Sequence, residues 1–278
     1  MRLLRRRIIL FALAAVFFIL VGCSSSWQYN PITDVNDLHG RSVGVNLSWE
    51  SDYYLTGRTD LTLYRYDSTA DMVMALRYDK VDALAVDDMM WKIAESLSDG
   101  LEAVEPAFGE CGYLLYFSRE HQALAEDFNQ FLAEYKETED YEDFLERAEA
   151  FDGEEYEGPE IELTGTGETL RVAYGSDGFP HTFIDPGMDV PDGYDLEALK
   201  LFANDRGYQL DFIISNYDDA VMGLQNGLYD IYVGYLSDVY REEVEAVGLF
   251  TSANLYESKL YFIQKTQADF SLNVEELE

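Results

Sequence analysis

Side chains able to carry covalent chemistry are few in this 278-residue chain and stand apart. The three histidines, His39, His121 and His181, are scattered, and no His, Cys or carboxylate set has the spacing of a metal site. No Gly-x-Ser-x-Gly elbow is present to expose a nucleophilic serine. Cys111 precedes the apolar run Tyr113-Leu114-Leu115-Tyr116-Phe117, which reads as the setting of a buried structural thiol rather than a reactive thiolate. Gly165-Thr166-Gly167 lacks the Lys and the helix start that a phosphate loop needs. With 54 Asp and Glu, close carboxylate pairs arise by chance and read mostly as solvated faces. What remains is equipment for holding a ligand. Arg241 carries a planar, permanently charged guanidinium that can grip a carboxylate through two parallel bonds; the competing role is a surface ion pair with Glu242 or Glu245. Asp87 and Asp88 end the strand-like run from Val81, where either can cap the helix that follows.

The elements that must position these groups are visible in the pattern. Leu170, Val172 and Ala173 mark a buried strand, Leu196, Leu199, Phe202 and Ala203 an amphipathic helix, and Tyr208 to Ile214 a second strand. After Tyr217-Asp218-Asp219 another helix ends at Asn226-Gly227, and a third strand, Tyr229 to Gly234, leads to Arg241. This alternation predicts a parallel sheet covered on both faces, with loops at the strand ends free to bind something. Between the halves of the chain, Asp152 to Gly167 is rich in Gly, Glu and Pro without an apolar period, the composition of a linker able to span tens of ångströms. No shorter internal repeat or low-complexity segment is expected.

Several ordered stretches resemble the bacterial extracellular solute-binding proteins of family 3, the type II periplasmic binding proteins of amino-acid ABC importers. In the second half these are Phe179-Pro180-His181-Thr182-Phe183, Gly193-Tyr194-Asp195-Leu196-Glu197, Leu224-Gln225-Asn226-Gly227-Leu228-Tyr229-Asp230, and Gly234 followed seven residues later by Arg241. They are similar to the family's first lobe. In the first half, Asp37-Leu38-His39-Gly40-Arg41-Ser42-Val43-Gly44-Val45 and the strand Val81-Asp82-Ala83-Leu84-Ala85-Val86-Asp87, with the helix Ala70 to Tyr78 between them, are similar to its second lobe. Gly112 to Phe117 resembles the strand that crosses back to the first lobe, and the helices around Leu124–Leu132 and Tyr141–Ala148 resemble the family's C-terminal helices. The resemblance therefore implies an α/β, two-lobed Venus-flytrap fold with the lobe order permuted. Thr33–Leu38 and Ser271–Leu277 also resemble one another, as the segment that normally joins the lobes. A truncated tandem protein is the rival reading. The domains expected are a signal peptide (1–22), a lipidated tether (23–34), the second lobe with return strand and helices (35–150), an acidic Gly-rich linker (151–167), and the first lobe with hinge segment (168–278).

The resemblance also implies site residues. Arg241 corresponds to the carboxylate ligand of the first lobe and Asp87 to the ammonium ligand of the second, with Asp88 as the neighbouring confounder. Gly234, Tyr235 and Ser237 fall in the loop before Arg241, Phe179 beside the stacking position at Gly178, Ser48 and Trp49 where the second lobe's first helix opens, and Asp195 in the first-lobe motif. Departures are visible too. Leu236 stands where the family has a hydroxyl, and Ser48-Trp49-Glu50-Ser51 replaces a Gly-Thr-Thr type run. Glu50 there repels a carboxylate, whereas Trp49 can roof an aromatic or cationic ligand.

Arg2, Arg5, Arg6 and Arg7 precede an apolar run, Ile8 to Gly22, that is short for a spanning helix and reads as a secretory signal. Leu20-Val21-Gly22-Cys23 is a lipobox, so Cys23 is expected to carry lipid, leaving Cys111 without a disulfide partner. The formal charge of −35 falls to −39 without those four arginines, which argues against nucleic acid or an anionic lipid surface as partner. The reading reached is an extracytoplasmic, lipid-anchored, monomeric solute-binding protein, on a Gram-positive surface or in a Gram-negative periplasm. It captures a small polar, amino-acid-like ligand for an ABC permease, without cofactor, metal or catalysis. The alternatives are a cyclohexadienyl-dehydratase-like enzyme on the same fold and a sensory or accessory lipoprotein.

Overall fold

The computed structural model of the protein describes residues 30–267. Cys23, the signal segment and the echo at 271–277 lie outside these residues. Short β-rich runs of the first half form β1 (Ser42–Asn46), β2 (Thr62–Tyr66) and β3 (Ala83–Asp87), interleaved with α1 (Glu50–Leu55), α2 (Thr69–Arg77) and α3 (Asp88–Leu97). β1 and β3 are buried almost throughout, as strands covered on both faces must be, while the edge strand β2 is largely exposed. α2 and α3 start at capping residues: Ser68 accepts from the Asp71 amide, and Asp87 from the Met90 amide at 2.7 Å.

The chain then runs through the long strand β4 (Leu101–Tyr113) into β5 (Tyr116–Phe117), α4 (Gln122–Tyr135) and α5 (Glu139–Ala150). The second half contributes β6 (Thr169–Tyr174), the small hairpin β7 (Asp177–Gly178) and β8 (Thr182–Phe183), α6 (Tyr194–Arg206), β9 (Gln209–Ile214), α7 (Tyr217–Gln225) and β10 (Ile231–Val233). It ends with α8 (Arg241–Ala246), β11 (Phe250–Thr251) and β12 (Tyr256–Lys265).

Two five-stranded sheets result, ordered β2-β1-β3-β12-β4 and β11-β5-β10-β6-β9. The α/β, two-lobed architecture expected from the sequence is what the chain adopts, one sheet to each lobe. The sheets are mixed rather than parallel. β1, β2 and β3 pair in parallel, as do β6, β9 and β10, but each set is extended by an antiparallel strand from the other half of the chain. β12 pairs with β3 and β4 in the lobe built on β1–β3, and β5 pairs with β10 and β11 in the lobe built on β6, β9 and β10.

The chain thus crosses between lobes twice, at Leu114–Leu115 and at Ser252–Leu255, and the crossings lie side by side. The Leu255 amide donates to the Tyr113 carbonyl (2.6 Å) and the Ser252 amide to the Leu115 carbonyl (2.9 Å). The largest apolar cluster spans this junction, joining Cys111, Tyr113, Leu115 and Tyr256 to Phe128, Phe144, Tyr194 and Phe202 of the lobe built on β6, β9 and β10.

An internal repeat absent from the sequence reading appears once the lobes are compared. β2-α2-β3 recurs as β9-α7-β10 with constant spacing, so that Val73-Met74-Ala75-Leu76 matches Val221-Met222-Gly223-Leu224. Asp82 takes the Ser42 amide at 2.7 Å, and Asp230 takes the Arg171 amide at 2.7 Å, each pinning the start of a central strand. The stretch 151–167 is not a loose tether: Phe151 is buried, Tyr156 packs edge-on against Phe183 and Tyr194, and Thr164 binds Asn204. The acidic composition hid these aromatic anchors. They also explain why α6 is buried nearly all round rather than along one stripe.

Candidate functional site between the lobes

In α/β sheets, ligands gather where loops leave the carboxyl ends of the central strands. Here those ends meet. Trp49 and Glu50 follow β1, Asp87 ends β3, and Tyr235 follows β10 from the other lobe. By the repeat, Asp87 and Tyr235 occupy equivalent places in the two lobes, and they bond to each other: the Tyr235 hydroxyl lies 2.8 Å from Asp87 Oδ2 and 3.2 Å from Glu50 Oε1. The Tyr113 hydroxyl, from the end of β4, also donates to Asp87 Oδ2. The Trp49 ring lies 4.1 Å from that of Tyr235, and Tyr113 stands 5.2 Å from it.

Both carboxylates are buried, Asp87 at 0 % and Glu50 at 2 % exposure. Their partners are neutral. Asp87 accepts from Tyr113, Tyr235 and the Met90 amide, while Glu50 Oε2 is enclosed without a hydrogen-bond partner. Burial, reinforced by the adjacent Asp87, pushes the Glu50 carboxyl up to about 8. The same burial and the facing carboxylates hold the Tyr113 and Tyr235 phenols well above their ordinary range, so they remain donors.

The loop that aims Tyr235 is held from behind. Tyr235 has a left-handed backbone (φ 54°), preceded by Gly234 at φ 146°. A Cβ on Gly234 would meet the Gly175 amide nitrogen at 3.0 Å. Asp195, in the first turn of α6, takes the Tyr235 amide at 3.0 Å and the Tyr256 hydroxyl at 2.7 Å. His181 Nδ1 lies 2.7 Å from that hydroxyl and 3.2 Å from Asp195 Oδ1. Gly193 makes this possible, since a Cβ there would lie 2.2 Å from the His181 carbonyl oxygen.

The sequence-derived candidates divide accordingly. Asp87, Trp49, Tyr235 and Asp195 come together at this centre, with Glu50 and His181 beside them. Ser48 adopts φ 63° at its edge, and its carbonyl accepts from Tyr240 of the other lobe at 2.9 Å. Ser237 is buried as a cap under Val239, and Leu236 belongs to an apolar cluster with Ala173, Leu224 and Tyr232 in its own lobe. Phe179 packs on Phe151 and Phe183. Arg241 is not brought to Asp87: its guanidinium donates to Thr251 Oγ1 (2.6 Å), the Ser252 carbonyl (2.7 Å) and Asn254 Oδ1 (2.7 Å). Asp88 turns away to the Lys259 amide and Ser258. Tyr113 and Tyr256 were missed by sequence reasoning. Tyr113 sits in a run that reads as core and Tyr256 in the alternating run Tyr256-Glu257-Ser258-Lys259-Leu260, and neither run marks its hydroxyl as the partner of a carboxylate.

Cys111 is buried, and its thiol is pushed far up by that burial, which leaves it inert as a nucleophile. Among the described residues no group of three or more His, Cys, Asp or Glu has metal-holding geometry. The arrangement is equipped to hold a solute by hydrogen bonds, charge and ring faces.

No protein-family model and no curated protein matches the sequence. Solved structures similar to the chain include the probable amino-acid ABC transporter extracellular-binding protein ytmK from Bacillus subtilis. It is 10% identical, with 86% of this chain and 92% of that one covered and a TM-score of 0.45. The GluR0 ligand-binding core in complex with L-glutamate is 12% identical, with 86% and 90% covered and a TM-score of 0.42. An ancestral amino-acid-binding protein, a precursor of cyclohexadienyl dehydratase, is 10% identical, with 84% and 86% covered and a TM-score of 0.43.

Proposed function

We propose that the chain is an extracytoplasmic solute-binding protein that captures a small polar solute between its lobes and delivers it to an ABC importer. One observation carries this reading: the carboxyl ends of the central strands of both sheets meet in a buried polar cluster built from both lobes, next to two adjacent strand crossings. A solute that bonds both lobes at once favours closure about those crossings, with the energy coming from contacts made only when both sides are engaged. The permuted lobe order belongs to the same reading, with 35–150 as the family's second lobe and the segment after 168 as its first, as does lipid on Cys23 as the anchor. Arg241 is left out of the binding set, because its three bonds fasten it to β11 and the second crossing.

The test is thermal denaturation of the purified protein against a library of polar solutes. A true ligand at a hundred times Kd adds about 2.7 kcal/mol, which for a domain of this size raises Tm by roughly 5–10 °C. Absence of any shift across amino acids, amines, sugars and oxyanions overturns the reading.

A further inference from the structure

The site carries a chemical preference that deepens this reading and rests on it. We propose that the solute is an organic cation without an α-carboxylate, its ammonium or guanidinium head seated between Glu50 and Asp87 and its apolar part against Trp49 and Tyr235. Three independent features support this. The first is an enclosed acceptor: Glu50 Oε2 is buried without a partner, which is costly unless a donor comes to it. The second is the absence of a cation near the pair. Among the described residues no Lys, Arg or His bonds to Asp87 or Glu50; Arg65 is joined to Asp52, and Arg241 is held at Thr251, Ser252 and Asn254. Two buried carboxyl groups therefore lie together with no fixed positive charge to receive a ligand carboxylate, so an amino-acid zwitterion would bring an anion with nothing to neutralise it. The third is the lining. The Trp49 and Tyr113 rings, with centroids 4.1 and 5.2 Å from that of Tyr235, cluster with it beside the pair, and aromatic rings attract cations and accommodate alkyl chains.

The groups facing Glu50 are Asp87 on β3, Tyr113 and Cys111 on β4, and Tyr235 and Tyr240 from the other lobe. None is cationic, so a bound cation is the charge that lets Glu50 ionise. Glu50 holds its proton up to about 8. Binding below that pH expels one proton to solvent, and the Glu50 carboxylate then accepts an N–H bond from the cation.

The test is calorimetric titration of the purified protein with butylammonium, choline, L-glutamine and butanol at about pH 6.5, 7.5 and 8.5, where the amine stays charged. Butylammonium is expected to bind with Kd falling up to about tenfold per pH unit until Glu50 is ionised, releasing up to one proton. Titration in two buffers of different ionisation heat reads that proton in the wild-type protein, so the result does not depend on a variant folding. Glu50→Gln is expected to weaken butylammonium by about 30-fold or more and to flatten the pH dependence. Choline, which lacks N–H donors, separates ring-face attraction from carboxylate bonding and is expected to be weaker and less sensitive to Glu50→Gln. L-glutamine binding without butylammonium or choline overturns the proposal while leaving the solute-binding reading intact. Binding of butylammonium without proton release, or unchanged in a folded Glu50→Gln protein, also overturns it. If nothing in the wider library shifts Tm either, both readings fall.

Discussion

Two carboxylates reaching for one tyrosine hydroxyl are a poor use of a protein interior unless something relieves them, and a proton on Glu50 is the simplest relief. That proton links folding to pH. Glu50 titrates near its ordinary 4.5 when unfolded and at about 8 when folded. The folded state therefore binds more protons between those values, and the stability supplied by protonated Glu50 is complete below the lower value and lost as pH rises through the upper one. The slope approaches about 1.4 kcal/mol per pH unit inside that window. Glu50→Gln is expected to remove this slope, so the variant overtakes the wild type as pH rises from about 5 to 8; parallel urea-denaturation curves at those pH values would refute the assignment. Tyr235→Phe keeps the ring contacts and deletes the hydroxyl shared by Asp87 and Glu50, at an expected cost of about 1–2 kcal/mol in the same measurement. Asp87, Trp49 and Tyr235 were legible in the sequence because they stand at strand ends or depart from an expected motif. Tyr113 and Tyr256 were not, since nothing local separates a hydroxyl that meets a carboxylate from one that caps a core.

At the scale of elements, Arg241 shows how spacing can identify a residue without placing its side chain. Its position after Gly234 was readable, but its three acceptors lie on the segment from Thr251 to Asn254, which no local pattern ties to it. There it fastens the start of α8 to β11 and to the second crossing. Arg241→Ala is expected to destabilise the protein by about 2–3 kcal/mol even without solute, and Arg241→Lys to recover only part of that, because an ammonium cannot reproduce the fork. Calorimetric melting of the two variants checks this; a melt unchanged from wild type in the alanine variant refutes it. The strands and helices themselves were largely legible, from Thr69–Arg77 to Tyr217–Gln225, since each carries its own period and caps. β5 falls within the return strand expected at Gly112–Phe117, whereas β12 was not legible as a sheet member, because a strand's sequence does not say which distant edge it completes.

For the whole molecule, the exchange of strands makes the lobes interdependent. Each sheet has a gap that only the other half fills, so neither half owns a complete core. A chain divided between Pro159 and Glu160, both exposed, is expected to give two pieces that melt without cooperativity alone and associate one-to-one when mixed, with a single transition recovered. Two pieces that each melt cooperatively by themselves would refute this. The net charge of −35 adds self-repulsion to both pieces, so their association should strengthen with salt. The place of β12 in the first sheet has a consequence in time as well as in space. A polypeptide that emerges N-terminus first presents β1, β3 and β4 early, yet the gap between β3 and β4 stays open until Tyr256–Lys265 has followed. Folding cannot then advance lobe by lobe behind the emerging chain, and must wait for nearly the whole sequence before either sheet can close.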